Sequence, residues 1–147
     1  MLDLERELDA VRNALNERGI EYALCGGLAV GVHGFPRATV DIDLLIRPES
    51  EEAVYDAVAS LGFSYKANPM NFGAISIRRV SKIDDDGEVL MLDLLLVTPS
   101  FEPVWESREQ HDWLGRRLPV VSKQGLIALK RGRSSKLDLA DIEKLES

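Results

Sequence analysis

The chain has 147 residues, of which 45% are hydrophobic and 29% charged, with a formal net charge of −7. That balance fits a globular domain, holds no apolar run approaching the roughly 20 residues of a membrane span, and opposes broad, non-specific binding to nucleic acid. The single Cys25 excludes an intrachain disulfide, and one cysteine with two histidines does not make a Cys/His zinc site. MLDLERELDAVRN, at the N-terminus, is charged and helical in pattern rather than signal-like, so the expected location is cytoplasmic, with no membrane partner.

Leu4, Leu8, Val11 and Leu15 recur at helical spacing, which predicts a helix over 3–18 stopped by Gly19. IEYALC (20–25) reads as a strand running into Gly26-Gly27, LAVGVHG as a short buried helix, and Phe35-Pro36 as its break. VDIDLLI (40–46) is a second strand. Ser50 is placed to cap a helix that ends at Gly62. Residues 63–73, with Asn68-Pro69 and Gly73, read as a loop or irregular hairpin. AISIRRVS (74–81), the turn IDDDG and EVLMLDLLLV (88–97) make an antiparallel hairpin whose second strand is too apolar for an edge. A short helix over 100–109, a strand at RRLPVVS, and helices over 122–131 and 137–145 complete the chain. The pattern predicts an α/β (α+β) fold, a mixed sheet with packed helices, in one domain over 1–147 with its core at 20–97 and a basic helical segment at 114–147.

Charge is unevenly spread. The first 112 residues carry 21 acidic and 10 basic side chains, whereas 113–136 carry seven basic residues and no acid. This basic segment is either a solvated charge run or a site for an anion.

Asp41 and Asp43 lie two apart on an apolar strand, so both project from one face while Ile42 and Leu44 project from the other. Like charges about 6–7 Å apart repel unless a cation intervenes. Asp93 interrupts two leucine-rich triplets, where an unpaired carboxylate is costly. Each acid alone could cap a loop or pair with an arginine; together they point to hard oxygen ligands for Mg²⁺ or Mn²⁺. Gly26-Gly27, between a strand and a helix, lets backbone N–H groups approach a phosphate, although a glycine pair is also an ordinary tight turn.

The stretch Cys25-Gly26-Gly27, thirteen residues, then Asp41-Ile42-Asp43-Leu44 resembles the signature of the DNA polymerase β-like nucleotidyltransferase superfamily. GGLAVGVHGFPRATVDIDLLI is most similar to a small bacterial branch that includes abortive-infection and toxin-type nucleotidyltransferases. The resemblance implies a two-metal transfer of a nucleoside monophosphate from an NTP to a hydroxyl of a small molecule, protein or RNA end. It implies Asp41, Asp43 and Asp93 as catalytic metal ligands, and Gly26, Gly27, Arg37, Thr39, Lys130 and Arg133 as nucleotide-binding residues. It leaves open a homodimer or an antitoxin-like partner, and a tRNA acceptor, while the net charge disfavours long nucleic acid. The alternative is a nucleotide-binding module of the same fold without turnover.

Of the remaining residues, His33 reads as a structural histidine, and Asp138 and Asp141, three apart on the last helix, as partners of the basic segment. Trp105 and Trp113 read as core. His111-Asp112 imitates an HD phosphohydrolase motif, but that fold is all-helical and these flanks are not.

Overall fold

The computed structural model describes residues 2–133 and 136–147. Helix α1 (Leu4–Glu17) is capped by Asp3, whose side chain accepts from the Glu5 and Arg6 amides, and it buries Leu8, Val11 and Leu15. Strand β1 (Ala23–Cys25) is shorter than its hydrophobic pattern and passes directly into α2 (Gly26–Val32), so both glycines belong to the helix. After β2 (Asp41–Ile46), a 3-10 turn at Pro48–Ser50 leads α3 (Glu51–Ala59). Ser50 is therefore already helical and makes no side-chain cap: Pro48 fixes its own φ and begins the winding two residues earlier.

The 63–73 stretch holds two short strands, β3 (Tyr65–Lys66) and β4 (Met70–Phe72), both paired to β5 (Ile75–Ile83). Strand β6 (Val89–Leu96) returns antiparallel to β5 as expected. The helix expected over 100–109 is confined to a 3-10 turn at Pro99–Phe101 and α4 (Glu102–Glu106). Glu109 already belongs to β7 (Glu109–Trp113), a strand the sequence reading lacks, which pairs with β8 (Arg116–Val120). Helices α5 (Lys123–Arg133) and α6 (Lys136–Glu146) end the chain.

One sheet runs in the order β3-β5-β6-β2-β1-β8-β7, with β4 also on β5. β2 and β6 are parallel, as are β1 and β8; the other pairs are antiparallel, so the sheet is mixed. Leu44, Leu45, Ile46, Leu92 and Leu94 are fully buried at its centre, and Trp105 is core, while Trp113 packs against the core only in part. No helix among the described residues is long and apolar enough to cross a membrane.

The β7–β8 hairpin closes through Leu114-Gly115, with φ of 49° and 78°. Two successive positive values mark the primed turn that fits strand twist, for which leucine is a poor first residue. Replacing Leu114 with Asn, which tolerates that conformation, is expected to stabilise the protein by roughly 0.5–1 kcal/mol in urea unfolding; a loss of stability would show that the exposed leucine side chain matters more than the turn.

Candidate active site

The strand registers build the site. Cys25 on β1 lies opposite Asp43 on β2, Asp43 opposite Asp93 on β6, and Asp93 opposite Arg79 on β5. Residues opposite one another share a face, so four neighbouring strands present Cys25, Asp43, Asp93 and Arg79 in one row. Asp41, two residues before Asp43, joins that face. Neighbouring strands are about 4.8 Å apart, which forces the Asp43 and Asp93 carboxylates together.

The electrostatics follow. Burial, then the charge of Asp93, pushes the Asp43 pKa up to about 7. The same two causes, in the same order, raise that of Asp41. Arg79 answers the third acid: its Nε and Nη2 donate to the two Asp93 oxygens at 2.7 and 2.9 Å, and Asp93 is 2% exposed. The hydrogen bond to Asp93 in turn raises the Arg79 pKa. Asp41 Oδ1 is buried with no hydrogen-bond partner. Among the described residues, the group of three acidic, His or Cys side chains whose donor atoms all lie within 4.8 Å of one another is His33, Glu109 and His111, not the aspartate trio. The three aspartates share a face, but Arg79 takes both oxygens of the third.

Gly26 sits beside this row with φ +68°, and a Cβ there would collide with the Asp43 carboxylate, 2.6 Å from its Cγ. Only glycine combines that backbone with that approach. Gly27 is buried beneath two other candidates: a Cβ there would meet Thr39 Oγ1 at 2.8 Å and the Arg37 guanidinium at 3.0 Å.

Beyond the glycines the basic residues are tied to α6. Arg37 donates from Nε and Nη2 to both oxygens of Asp141, at 3.0 and 2.9 Å, and from Nη1 to the Ala38 carbonyl. Lys130, 3% exposed, places Nζ 3.0 Å from Asp141 Oδ2 and 3.6 Å from Asp138 Oδ1. Arg133 makes a two-pronged bond to Asp138 at 2.9 Å for each arm. Burial opposes ionisation of Asp141, but the hydrogen bonds from Arg37 and the adjacent Lys130 ammonium outweigh it and hold its pKa low. Lys130, Arg133 and Asp138 nevertheless face the acids: with Gly26, Asp43 and Cys25 they line one recess.

Residues 7–145 match the family profile described as aminoglycoside-2''-adenylyltransferase. The chain belongs to that family. The lincosamide antibiotic adenylyltransferase LnuA, lincomycin-bound, has the same fold, at 17% identity and a TM-score of 0.66 over 97% of this chain and 96% of that one. ANT(2'')-Ia in complex with adenylyl-2''-tobramycin is 16% identical, with a TM-score of 0.63 over 97% and 92% of the two chains. An antigenic nucleotidyltransferase-like protein from Paracoccidioides brasiliensis is 20% identical, with a TM-score of 0.55 over 96% and 75%. No curated protein sequence matches. Membership and fold together place the chain in the DNA polymerase β-like nucleotidyltransferase superfamily.

In this adenylyltransferase-family chain, Asp43, Gly26, Lys130 and Arg133 come together at the recess, while Asp41 lies outside its lining, two residues before Asp43 on the same strand face. Arg37 and Thr39 pack over Gly27, and Arg37 spends its guanidinium on Asp141. Arg79 is the site residue the sequence reading missed, although the hairpin register opposes it to Asp93.

Two measurements test these assignments. Removing Asp141 strands Arg37 and the buried Lys130, so Asp141→Ala is expected to cost about 3–5 kcal/mol in urea unfolding; a cost below about 1 kcal/mol would mean that the network is not holding α6. For Asp43, a folded-state pKa raised from 3.8 to about 7 means that the folded chain binds more protons than the unfolded chain between those values. Its contribution to stability is complete below pH 3.8 and is lost as pH rises through 7. In chelator, Asp43→Asn is therefore expected to stabilise the protein by roughly 1–3 kcal/mol at pH 8, with little gain at pH 4. Equal effects at both pH values would show that Asp43 ionises freely.

Proposed function

We propose that this protein transfers a nucleoside monophosphate from an NTP to a hydroxyl of a small acceptor, with Mg²⁺ or Mn²⁺ held by Asp41 and Asp43. The observation that carries the reading is the partnerless, buried Asp41 Oδ1 beside the crowded Asp43, next to the Gly26 turn. Hard carboxylate oxygens at that spot fit a divalent ion. Such an ion, when bound, supplies neutralisation of the triphosphate charge and polarises the reacting phosphorus. Asp93 becomes a third ligand only when Arg79 releases one of its oxygens.

The chain's own groups then have the following work. The N–H groups opening α2 at Gly26 and Gly27 face phosphate oxygens. Arg133, the more exposed of the two recess cations, contacts the triphosphate, while Lys130 holds α6 in place and lends its charge from behind. The acceptor oxygen bonds to the α-phosphorus, the bond to the bridging oxygen breaks, and pyrophosphate leaves with that electron pair. The hydroxyl proton passes to a carboxylate oxygen of this row, that of Asp93 where Arg79 has released one and otherwise that of Asp41 or Asp43. The family description, and the lincomycin and adenylyl-2''-tobramycin bound by the structural neighbours, support a small hydroxyl-bearing antibiotic as acceptor class. A net charge of −7 favours a cationic acceptor over nucleic acid. A second subunit could complete the acceptor site; the toxin role and the antitoxin-like partner rest on the sequence resemblance alone.

One observation favours a second reading, nucleotide binding without turnover: the two-pronged Arg79–Asp93 bond withholds the third acid. Incubation with each labelled NTP, Mg²⁺ or Mn²⁺, and a panel of aminoglycosides and lincosamides separates the two. Label transfer that falls by about 100-fold or more in Asp41→Asn/Asp43→Asn is the expected result. Metal-dependent NTP binding with no transfer to any acceptor would establish the binding module instead.

A further inference from the structure

At the opposite end of α2 from the glycine turn, two histidines and a glutamate meet. Glu109 and His111 are two apart on β7 and so share a face of that edge strand. His33, which caps the C-terminal end of α2, lies beside them, its ring edge-on to that of His111 with centroids 5.3 Å apart. A ring nitrogen of each histidine and a Glu109 carboxylate oxygen all lie within 4.8 Å of one another.

We propose that His33, His111 and Glu109 form a site for a borderline transition-metal ion, Zn²⁺ foremost, separate from the carboxylate centre. Counting cysteines and histidines excludes a Cys/His zinc site, but two imidazoles and a carboxylate make a three-ligand set that leaves the fourth position open. The tautomer of one ligand is already set. His33 Nε2 lies 2.8 Å from the Val121 carbonyl oxygen. A carbonyl only accepts, so Nε2 carries the proton and Nδ1 keeps its lone pair, the backbone anchoring typical of metal-binding histidines. The other two ligands already touch: His111 Nε2 donates to Glu109 Oε1 at 3.1 Å, a bond that the metal would replace, displacing that proton. Bonds of about 2.0–2.1 Å place tetrahedral donors about 3.3 Å apart, so the cluster must close by at most about 1.5 Å. Glu109 is exposed and His111 only partly buried, so rotamer changes can supply that closure without moving the backbone.

The ligand chemistry sets the preference. Imidazole selects Zn²⁺, Ni²⁺ or Cu²⁺ over Mg²⁺, the reverse of the all-oxygen Asp41–Asp43 pair. An ion there ties the end of α2 to the edge hairpin β7–β8. Helix α2 spans seven residues, about 10 Å, between this cluster and Gly26, so the two centres are distinct. The proposal is independent of the transfer reaction.

The test uses the full chain stripped with chelator and then titrated with Zn²⁺ by calorimetry. The Asp41→Asn/Asp43→Asn background removes binding at the carboxylate centre, and Mg²⁺ is present in millimolar excess. The expected result is one Zn²⁺ per chain, bound more tightly than about 10 µM, with a rise in Tm. Adding His111→Ala, an edge-strand change, or Glu109→Gln is expected to weaken binding by about 10-fold or more and to abolish the Tm rise. Co²⁺ in place of Zn²⁺ should give the intense visible absorption of a tetrahedral ion in the parent and lose it in His111→Ala. If the Asp-substituted background binds no Zn²⁺, or binds it equally well without His111, the proposal is overturned. Circular dichroism of each variant establishes that any loss of binding is not loss of fold.

Discussion

The site depends on one unfavourable arrangement: two carboxylates side by side at the centre of a sheet. The parallel pairing of β2 with β6 sets Asp43 directly across from Asp93, and no rotamer takes either far from the other. A sheet this apolar at its centre does not screen that repulsion. Three devices can relieve it: a guanidinium beside one acid, a proton on the other, or a cation between them. The structure shows the first, and the raised pKa of Asp43 opens the way to the second. Arg79 binds Asp93, and Asp43 is left with a pKa near neutrality. Asp41, one turn of the pleat away, keeps an oxygen with no partner. A cation is the remaining device, and the only one that relieves all three acids at once.

A second set of charges balances itself. Each side chain described in the basic stretch has a partner. Arg116 pairs with Asp9, Arg117 with Asp112, Arg131 with Glu146, and Lys130 and Arg133 with the acids of α6, while Lys123 lies over the Phe35 ring. The exposed pairs add little stability. The buried ones differ, because Asp138, Asp141 and the Lys130 ammonium are almost wholly enclosed. What reads along the chain as a run of positive charge is, in three dimensions, divided among several partners, and its α5 part, Lys130, Arg131 and Arg133, fastens the last helix beside the recess. That argues against a broad polyanion surface and for a small, shaped site.

How much of this the sequence disclosed follows from the range of each interaction. The Asp41–Asp43 pair is visible because strand geometry has a period of two, and Asp93 because an acid stands out among leucines. Arg79 was also within reach: a hairpin turning between Ile83 and Val89 opposes it to Asp93, but alternation alone does not fix the register. β7 was hidden because EQHDW has no apolar alternation, being an edge strand, and because its turn begins with leucine where asparagine or glycine is usual. The bond from Arg37 to Asp141 spans 104 residues, and no local pattern encodes it. Local physics therefore locates the acids, and tertiary packing decides which basic groups answer them.

That division bears on how the acids act. Arg79 is on the strand flanking Asp93, with its side chain about a third exposed, so its outward movement would expose little of the core. Asp93 itself cannot move, being nearly enclosed between β2 and β5. On the proposed reading, a divalent ion would be held first by Asp41 and Asp43, where one oxygen is unclaimed. Its charge would lower the cost of freeing Asp93 from Arg79. Arg79 would then set a threshold: it neutralises Asp93 in the folded chain without a cation, and would yield the third carboxylate only to a site that already holds one.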